Sequence, residues 1–326
     1  MKVLLYGPIA QRGRELLHDH FGDRIEITGT LAGDPAEQQA AHFAAAEVIV
    51  SVRFDAAEPP APRARLIQLP NSGLDSVDMA AVPEGCAVCN SFEHEIGISE
   101  YVMSAILQGI VELPARDAKF RAGDWSDSPR LMGPFRPELA GRTIVCVGYG
   151  NIGRAVAQRA RAFRMTVHAV TRRPRDFDPA PDRLGAIDEL DEMLPEADYV
   201  LVCCPEESPG TIGLIGAHRL ALMKPQAVLL NVARGLIVDE DALYEALSQG
   251  RIGGAVIDVW YHYADIGNED VKPSRHPFEK LDNVVMTPHC CGWTEGLMPR
   301  RFAIVAENIE RLMAGKPLLH QVHPEI

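Results

Sequence analysis

Apolar positions along this chain gather in short runs of aliphatic and β-branched residues, separated by stretches in which they recur every three or four positions. Val3 to Tyr6, Glu47 to Val52, Arg65 to Leu69 and Ala87 to Asn90 read as strands, and the residues around Glu15 to His20 as a helix. Such alternation predicts a parallel sheet with helices on its faces. Gly7 to Gly13 has the look of a phosphate loop but lacks the Gly-Lys-Ser/Thr ending, so it reads as an ordinary βα turn. A long helical pattern runs from Ile98 to about Arg121, is broken at Pro114, and is placed to link two domains. Strand and helix patterns then alternate again, with strands at Thr166 to Val170, Tyr199 to Cys203, Ala227 to Asn231, Gly254 to Val259 and Val284 to Thr287. Asp239 is expected to cap a helix over Asp241 to Ser248, a last helix is expected from Pro299 to Met313, and Asp176 to Pro181 and Ala264 to His276 read as exposed loops.

At the head of this second series an apolar run, Thr143 to Val147, ends in Gly148-Tyr149-Gly150-Asn151-Ile152-Gly153 and passes directly into a helical pattern. That order suits a dinucleotide. Gly148 permits the tight turn off the strand, Gly150 lets backbone N–H groups approach a pyrophosphate, and Gly153 lets helix and strand pack closely, with the ligand's charge at a helix N-terminus.

Composition narrows the classes further. A chain of 326 residues, 47% hydrophobic, is long enough for two domains with substantial cores. Its net charge of -13 argues against binding a nucleic-acid backbone, and no apolar stretch reaches the length of a membrane span, so a cytoplasmic protein without nucleic-acid or membrane partners is expected. The seven cysteines are odd in number and include the adjacent pairs Cys203-Cys204 and Cys290-Cys291, which reads as reduced thiols; Cys86 and Cys89 form a CxxC within a strand pattern with no second metal-ligand pair, so no metal is expected.

Two residues at strand ends carry the candidate chemistry. Arg234 follows the strand Val228-Leu-Leu-Asn-Val-Ala, where a guanidinium is placed to clamp a carboxylate in bidentate fashion. His289 follows the strand ending Met286-Thr-Pro, where an imidazole can exchange a proton with a substrate oxygen near neutral pH. Pro205 sits beyond a third strand end, where ligands gather in open α/β sheets.

Taken in order, the motifs Asn71-Ser-Gly-Leu-Asp-Ser-Val-Asp, Ile98-Ser-Glu-Tyr-Val, Gly123-Asp-Trp125, Gly148 to Gly153, Asn231-Val-Ala-Arg-Gly-Leu-Ile-Val-Asp-Glu, Ala255-Val-Ile-Asp-Val and Thr287-Pro-His-Cys-Cys-Gly-Trp-Thr resemble the D-isomer-specific 2-hydroxyacid dehydrogenase family over nearly the whole chain. The resemblance implies an α/β protein of two Rossmann-like or flavodoxin-like domains with parallel sheets. Residues 1–98 and 291–326 would form a discontinuous substrate domain, residues 99–290 the dinucleotide domain, and the interdomain cleft the active site. By the same resemblance Arg234 binds the substrate carboxylate and oxo group, His289 is the general acid, Asp258 holds the nicotinamide carboxamide, and Ser72 and Gly73 complete a carboxylate cradle through their backbone N–H groups. The implied reaction is hydride transfer from NAD(P)H to a 2-oxo acid such as glyoxylate, hydroxypyruvate or a bulkier analogue, in a homodimer paired through the dinucleotide domain and the apolar helix from Ser99.

Two departures from the family's pattern bear on this expectation. Where its members usually carry a glutamate that supports the histidine, this chain has Tyr263; formate dehydrogenases of the same superfamily have glutamine there. About 20 residues past the glycines, where an aspartate holds the ribose hydroxyls of NAD, the chain reads Thr171-Arg172-Arg173, which favours the phosphate of NADP over NAD. Glu93, His94 and Glu95 are expected near the substrate, His94 foremost, with Tyr261, Tyr263 and Trp293 as an apolar wall. A formate-type oxidation and a dinucleotide-sensing, corepressor-like binding protein are the alternatives.

Overall fold

The computed structural model describes residues 1–206, 210–264 and 267–324, so residues 265 and 266 of the loop expected at 264–276 lie outside the described residues. The chain divides into two compact units, Met1–Glu93 with Thr294–Ile326, and His94–Trp293. The crossings fall at 93/94 and 293/294 rather than at 98/99 and 290/291. The cause is packing: the helix Glu95–Val111 sends Ile98, Val102, Met103, Ile106 and Ile110 into the core of the second unit, and Cys291 joins the same cluster.

Strands β1 (Lys2–Tyr6), β2 (Glu26–Thr30), β3 (Val48–Val50), β4 (Leu66–Gln68) and β5 (Ala87–Cys89) belong to the first unit. The second holds β6 (Thr143–Val147), β7 (Thr166–Thr171), β8 (Arg183–Ala186), β9 (Tyr199–Val202), β10 (Val228–Asn231), β11 (Gly254–Ile257) and β12 (Val284–Met286), and β13 (Gln321–His323) returns to the first. The first sheet has the order β13-β5-β4-β3-β1-β2 and the second β12-β11-β10-β9-β6-β7-β8. All pairings are parallel except β13 with β5, so the first sheet is mixed at that edge.

Period-two burial explains the continuous apolar runs. Val3 and Leu5 of β1 enter one core cluster while Leu4 and Tyr6 enter another on the opposite face, and Val48 and Val50 are parted from Ile49 in the same way. In the second unit Val145 and Val147 face one cluster and Ile144 and Cys146 the other. A strand covered on both faces has no solvated side on which to place polar residues. The helix Leu297–Met313 covers the first sheet with Phe302, Val305, Ala306 and Ile309, one stripe at helical spacing. Asn308 on that helix donates to Gln68 Oε1 at 2.7 Å and to the Leu319 carbonyl at 3.0 Å, joining the C-terminal segment to β4 inside the core.

The helical pattern expected to break at Pro114 breaks just before it. Glu112 takes a left-handed conformation (φ 54), and Pro114 stands in the first turn of Leu113–Arg121, where its missing N–H leaves no helical bond unmade. Asp239 caps the helix Glu240–Ser248 as expected, accepting from the Ala242 N–H at 2.8 Å. No single helix among the described residues is long and apolar enough to cross a membrane.

Candidate active site

The glycine turn leaves β6 and enters the helix Asn151–Ala162. Gly148 has φ +105, and a Cβ there would lie 2.8 Å from the Cys204 backbone nitrogen; one on Gly153 would lie 2.5 Å from the Gly148 carbonyl oxygen. Both positions therefore exclude side chains. Around Gly150, among the described residues, a Cβ would meet no atom within 4 Å, and no side chain caps the helix that follows. The first-turn N–H groups at Asn151 and Ile152 are thus left to an outside acceptor, so the turn fits a dinucleotide pyrophosphate.

Strand β7 lies beside β6, and the Gly148 N–H donates to the Val170 carbonyl at 2.9 Å. Thr171 ends β7, and the exposed Arg172 and Arg173 leave the sheet about one strand spacing, ~4.8 Å, from the turn. Pro205 is exposed just beyond β9. Tyr149, at 1% exposure, turns its phenol into the core, where it donates to the Pro179 carbonyl at 2.9 Å, so within the turn it has its backbone to offer.

The other candidates of the second unit gather at the ends of β10, β11 and β12. Asn231 shapes the turn that carries Arg234: its side-chain amide donates to the Arg234 carbonyl at 2.9 Å, and its Oδ1 accepts from the Ala233 N–H at 3.2 Å. Gly235 follows because a Cβ there would fall 2.5 Å from the Trp260 carbonyl carbon. The Arg234 guanidinium donates to the Ala233 carbonyl at 2.8 Å. It also lies near enough to Tyr263 to favour the ionised phenol, but burial dominates and holds the Tyr263 phenol above its usual range. The Tyr263 hydroxyl accepts from the Trp260 N–H at 3.0 Å, and its ring stands 5.5 Å from the His289 ring at 50°. Arg234, Tyr263 and His289 thus share one neighbourhood.

Asp258 follows β11 and anchors the loop that carries His289. It is fully buried, and its carboxylate accepts from the Thr287 hydroxyl at 2.6 Å, the Cys290 N–H at 2.9 Å and the Cys291 N–H at 3.0 Å. A carboxylate so enclosed holds its own loop in place. Tyr101 from the helix Glu95–Val111 lies 2.6 Å from the same Thr287 hydroxyl, and Trp260 Nε1 donates to the Thr287 carbonyl at 2.8 Å. Both N–H groups that follow His289 turn back towards Asp258, which drives His289 itself to φ 56. A left-handed histidine costs on the order of 1 kcal/mol, and the three bonds to Asp258 offset it. The sequence pointed to neither this clamp nor the Tyr101–Thr287 contact.

His94 caps the N-terminus of Glu95–Val111 through its backbone, its carbonyl accepting from Ile98 at 3.0 Å. Tyr261 is drawn into packing, its hydroxyl bound to the Val238 carbonyl at 3.0 Å, whereas Trp293 is half-exposed. In the first unit, Asn90 and Asn71 donate to the carbonyls of Ser72 and Gly73, both at 2.9 Å, fixing that loop beyond β4. Arg300 binds both the carbonyl of Glu93, at 3.2 Å, and its carboxylate, at 3.5 Å.

Comparison with known proteins adds an independent line. Residues 103–291 match the family described as D-isomer specific 2-hydroxyacid dehydrogenase, NAD binding domain. The chain is 31% identical to a glyoxylate reductase of Thermococcus onnurineus over 97% of its own length and 93% of the relative's. It is 34% identical to a D-3-phosphoglycerate dehydrogenase of Methanocaldococcus jannaschii over 75% of its length; the match spans 44% of that relative, so the chain covers about half of it. A solved 2-hydroxyacid dehydrogenase of Ketogulonicigenium vulgare superposes with a TM-score of 0.78 at 25% identity, over 98% of each chain. With these likenesses spanning both units, the chain belongs to the D-isomer specific 2-hydroxyacid dehydrogenase family.

Proposed function

We propose that the protein reduces a 2-oxo acid to the D-2-hydroxy acid, with NADPH preferred over NADH and glyoxylate, hydroxypyruvate or a bulkier analogue as substrate. The observation that carries this reading is the grouping of Arg234, His289 and Tyr263 within one unit that also holds the glycine turn. Bound reduced nicotinamide supplies the hydride to C2. Arg234 holds the substrate carboxylate and faces the oxygen on which charge grows, while His289 gives that oxygen its proton. Ser72 and Gly73 are assigned to the carboxylate through their backbone, and His94 to the substrate's side chain. A steady-state screen of glyoxylate, hydroxypyruvate, pyruvate and bulkier 2-oxo acids with both reduced cofactors tests the reading; no turnover with any of them, despite saturable dinucleotide binding, would favour a sensor instead.

The cofactor preference rests on Arg172 and Arg173, which offer charge-assisted bonds to a ribose phosphate. Arg172→Ala with Arg173→Ala is expected to raise KM for NADPH by about 10- to 100-fold, as two exposed ion pairs with phosphate are lost, and to leave KM for NADH nearly unchanged. An NADH preference in the unaltered protein would overturn the assignment.

Tyr263 shapes the pH dependence. Its phenol is held above its usual range, so it stays neutral around neutral pH and cannot lend His289 the negative charge a carboxylate would. The charged imidazole is the working acid, so log kcat/KM for reduction is expected to fall as pH rises from about 5 to about 8, through the range in which imidazoles lose their proton. A flat profile there would remove His289 from the proton transfer.

We further propose a homodimer. The helix from Ser99 places Val102, Met103, Ile106 and Ile110 in the unit's own core. Exposed apolar residues instead cluster just downstream: Leu113, Phe120, Trp125, Leu131, Met132 (90% exposed) and Phe135 (103% exposed). So many exposed apolar side chains in one stretch favour a partner surface. Met132→Asp with Phe135→Asp is expected to shift the sedimenting species from dimer to monomer, and a monomer before substitution would dispose of the proposal.

A further inference from the structure

The segment from Arg172 to Asp182 joins β7 to β8, and it is fixed at more than its ends. At its far end Asp182 accepts from the Val167 N–H at 2.7 Å and donates its own N–H to the Val167 carbonyl at 2.7 Å. In its middle the segment rests on Tyr149. The Tyr149 hydroxyl donates to the Pro179 carbonyl at 2.9 Å, the Phe177 ring meets the Tyr149 ring edge-on at 5.2 Å, and the Arg175 guanidinium lies over Phe177 at 5.2 Å. Tyr149 sits between the first two glycines of the phosphate turn. One residue therefore belongs to the turn through its backbone and to the arginine-bearing segment through its side chain.

We propose that Tyr149 is a positioning residue for cofactor choice: its phenol ties the 172–182 segment to the glycine turn, so that Arg172 and Arg173 stand at a set distance from the pyrophosphate. The proposal rests on the NADPH reading above and deepens it. Tyr149 touches no ribose phosphate itself, and a flexible segment would lose the entropy of ordering its arginines each time NADPH bound. NADH, which offers those arginines no phosphate, would gain nothing from the tether. Burial pushes the Tyr149 phenol up to about 12, so it remains a donor at every working pH and the effect should not titrate.

The test uses the full chain as Tyr149→Phe, beside Arg172→Ala with Arg173→Ala. Dissociation constants for NADPH and NADH are measured by nicotinamide fluorescence, and tryptic cleavage after Arg175 is timed without cofactor. Tyr149→Phe keeps the ring and removes the hydroxyl, so NADPH should weaken about five- to tenfold, NADH by less than about twofold, and cleavage should quicken several-fold. Phe177→Leu should give the same split. The arginine double variant should lose the NADPH preference with cleavage after Arg175 unchanged. Equal weakening of both cofactors by Tyr149→Phe would assign the residue to the pyrophosphate turn alone and overturn the proposal, as would unchanged affinities. Tighter NADH binding by the unaltered protein would sink the NADPH reading instead, and cleavage after Arg175 would then decide by itself whether Tyr149 fixes the segment.

Discussion

Arg234→Ala is expected to lower kcat/KM for 2-oxo acids by about 10³-fold while leaving NADPH affinity within about twofold, since the substitution removes both a carboxylate clamp and a donor to the developing oxyanion. Arg234→Lys should recover little of the loss, because a point ammonium cannot match the planar two-pronged contact. His289→Ala should cost about 10²- to 10⁴-fold and also abolish the descending limb of the pH profile. These two signatures differ, which separates a binding and charge-stabilising role from a proton-transfer role. Isothermal titration with NADPH checks that the turn is intact in each variant. Near-full turnover in either would remove that residue from the chemistry.

The second large effect belongs to Asp258, whose carboxylate is bonded to the backbone that follows the histidine. Asp258→Asn keeps the shape but has only one carbonyl oxygen for the three donors, Thr287 Oγ1, Cys290 N and Cys291 N, and sets its NH₂ against at least one of them. Hydrogen bonds to a charged group contribute about 1.5–3 kcal/mol each, so a loss on the order of 3 kcal/mol in unfolding free energy is expected, read from the urea midpoint. Turnover should fall as well, since the φ 56 backbone at His289 is held by those same bonds. The outcome that would contradict this role is an unchanged midpoint together with lowered cofactor affinity, which would leave Asp258 to the nicotinamide alone.

Much of the fold was legible because both sheets are buried on two faces, so central strands such as β1, β6 and β9 stand out as unbroken apolar runs. The strands that escaped notice, β2, β8 and β13, all lie at sheet edges and carry few buried residues; β2 reads Glu-Ile-Thr-Gly-Thr with only Thr30 fully enclosed. An edge strand is recognised by its neighbour's backbone more than by its own side chains. At the candidate site, positions were readable and directions were not. Glycine spacing marked the turn, and strand ends marked Arg234 and His289, because both follow from local pattern. That Tyr149 points inward and Asp258 is sealed depends on contacts with Pro179 and with residues 287–291, which no local spacing reports.

The first unit is made from two separated stretches of chain, and this bears on how the protein is made. The second unit is one continuous run, so its residues are all available before the second stretch of the first unit is made. The first sheet, by contrast, lacks Phe302, Val305 and Ile309 on one face and β13 at its edge until residues 297–323 have been made. During synthesis strands β1 to β5 must wait with apolar surface uncovered while about two hundred residues are added, a stage at which an unfinished sheet is open to aggregation.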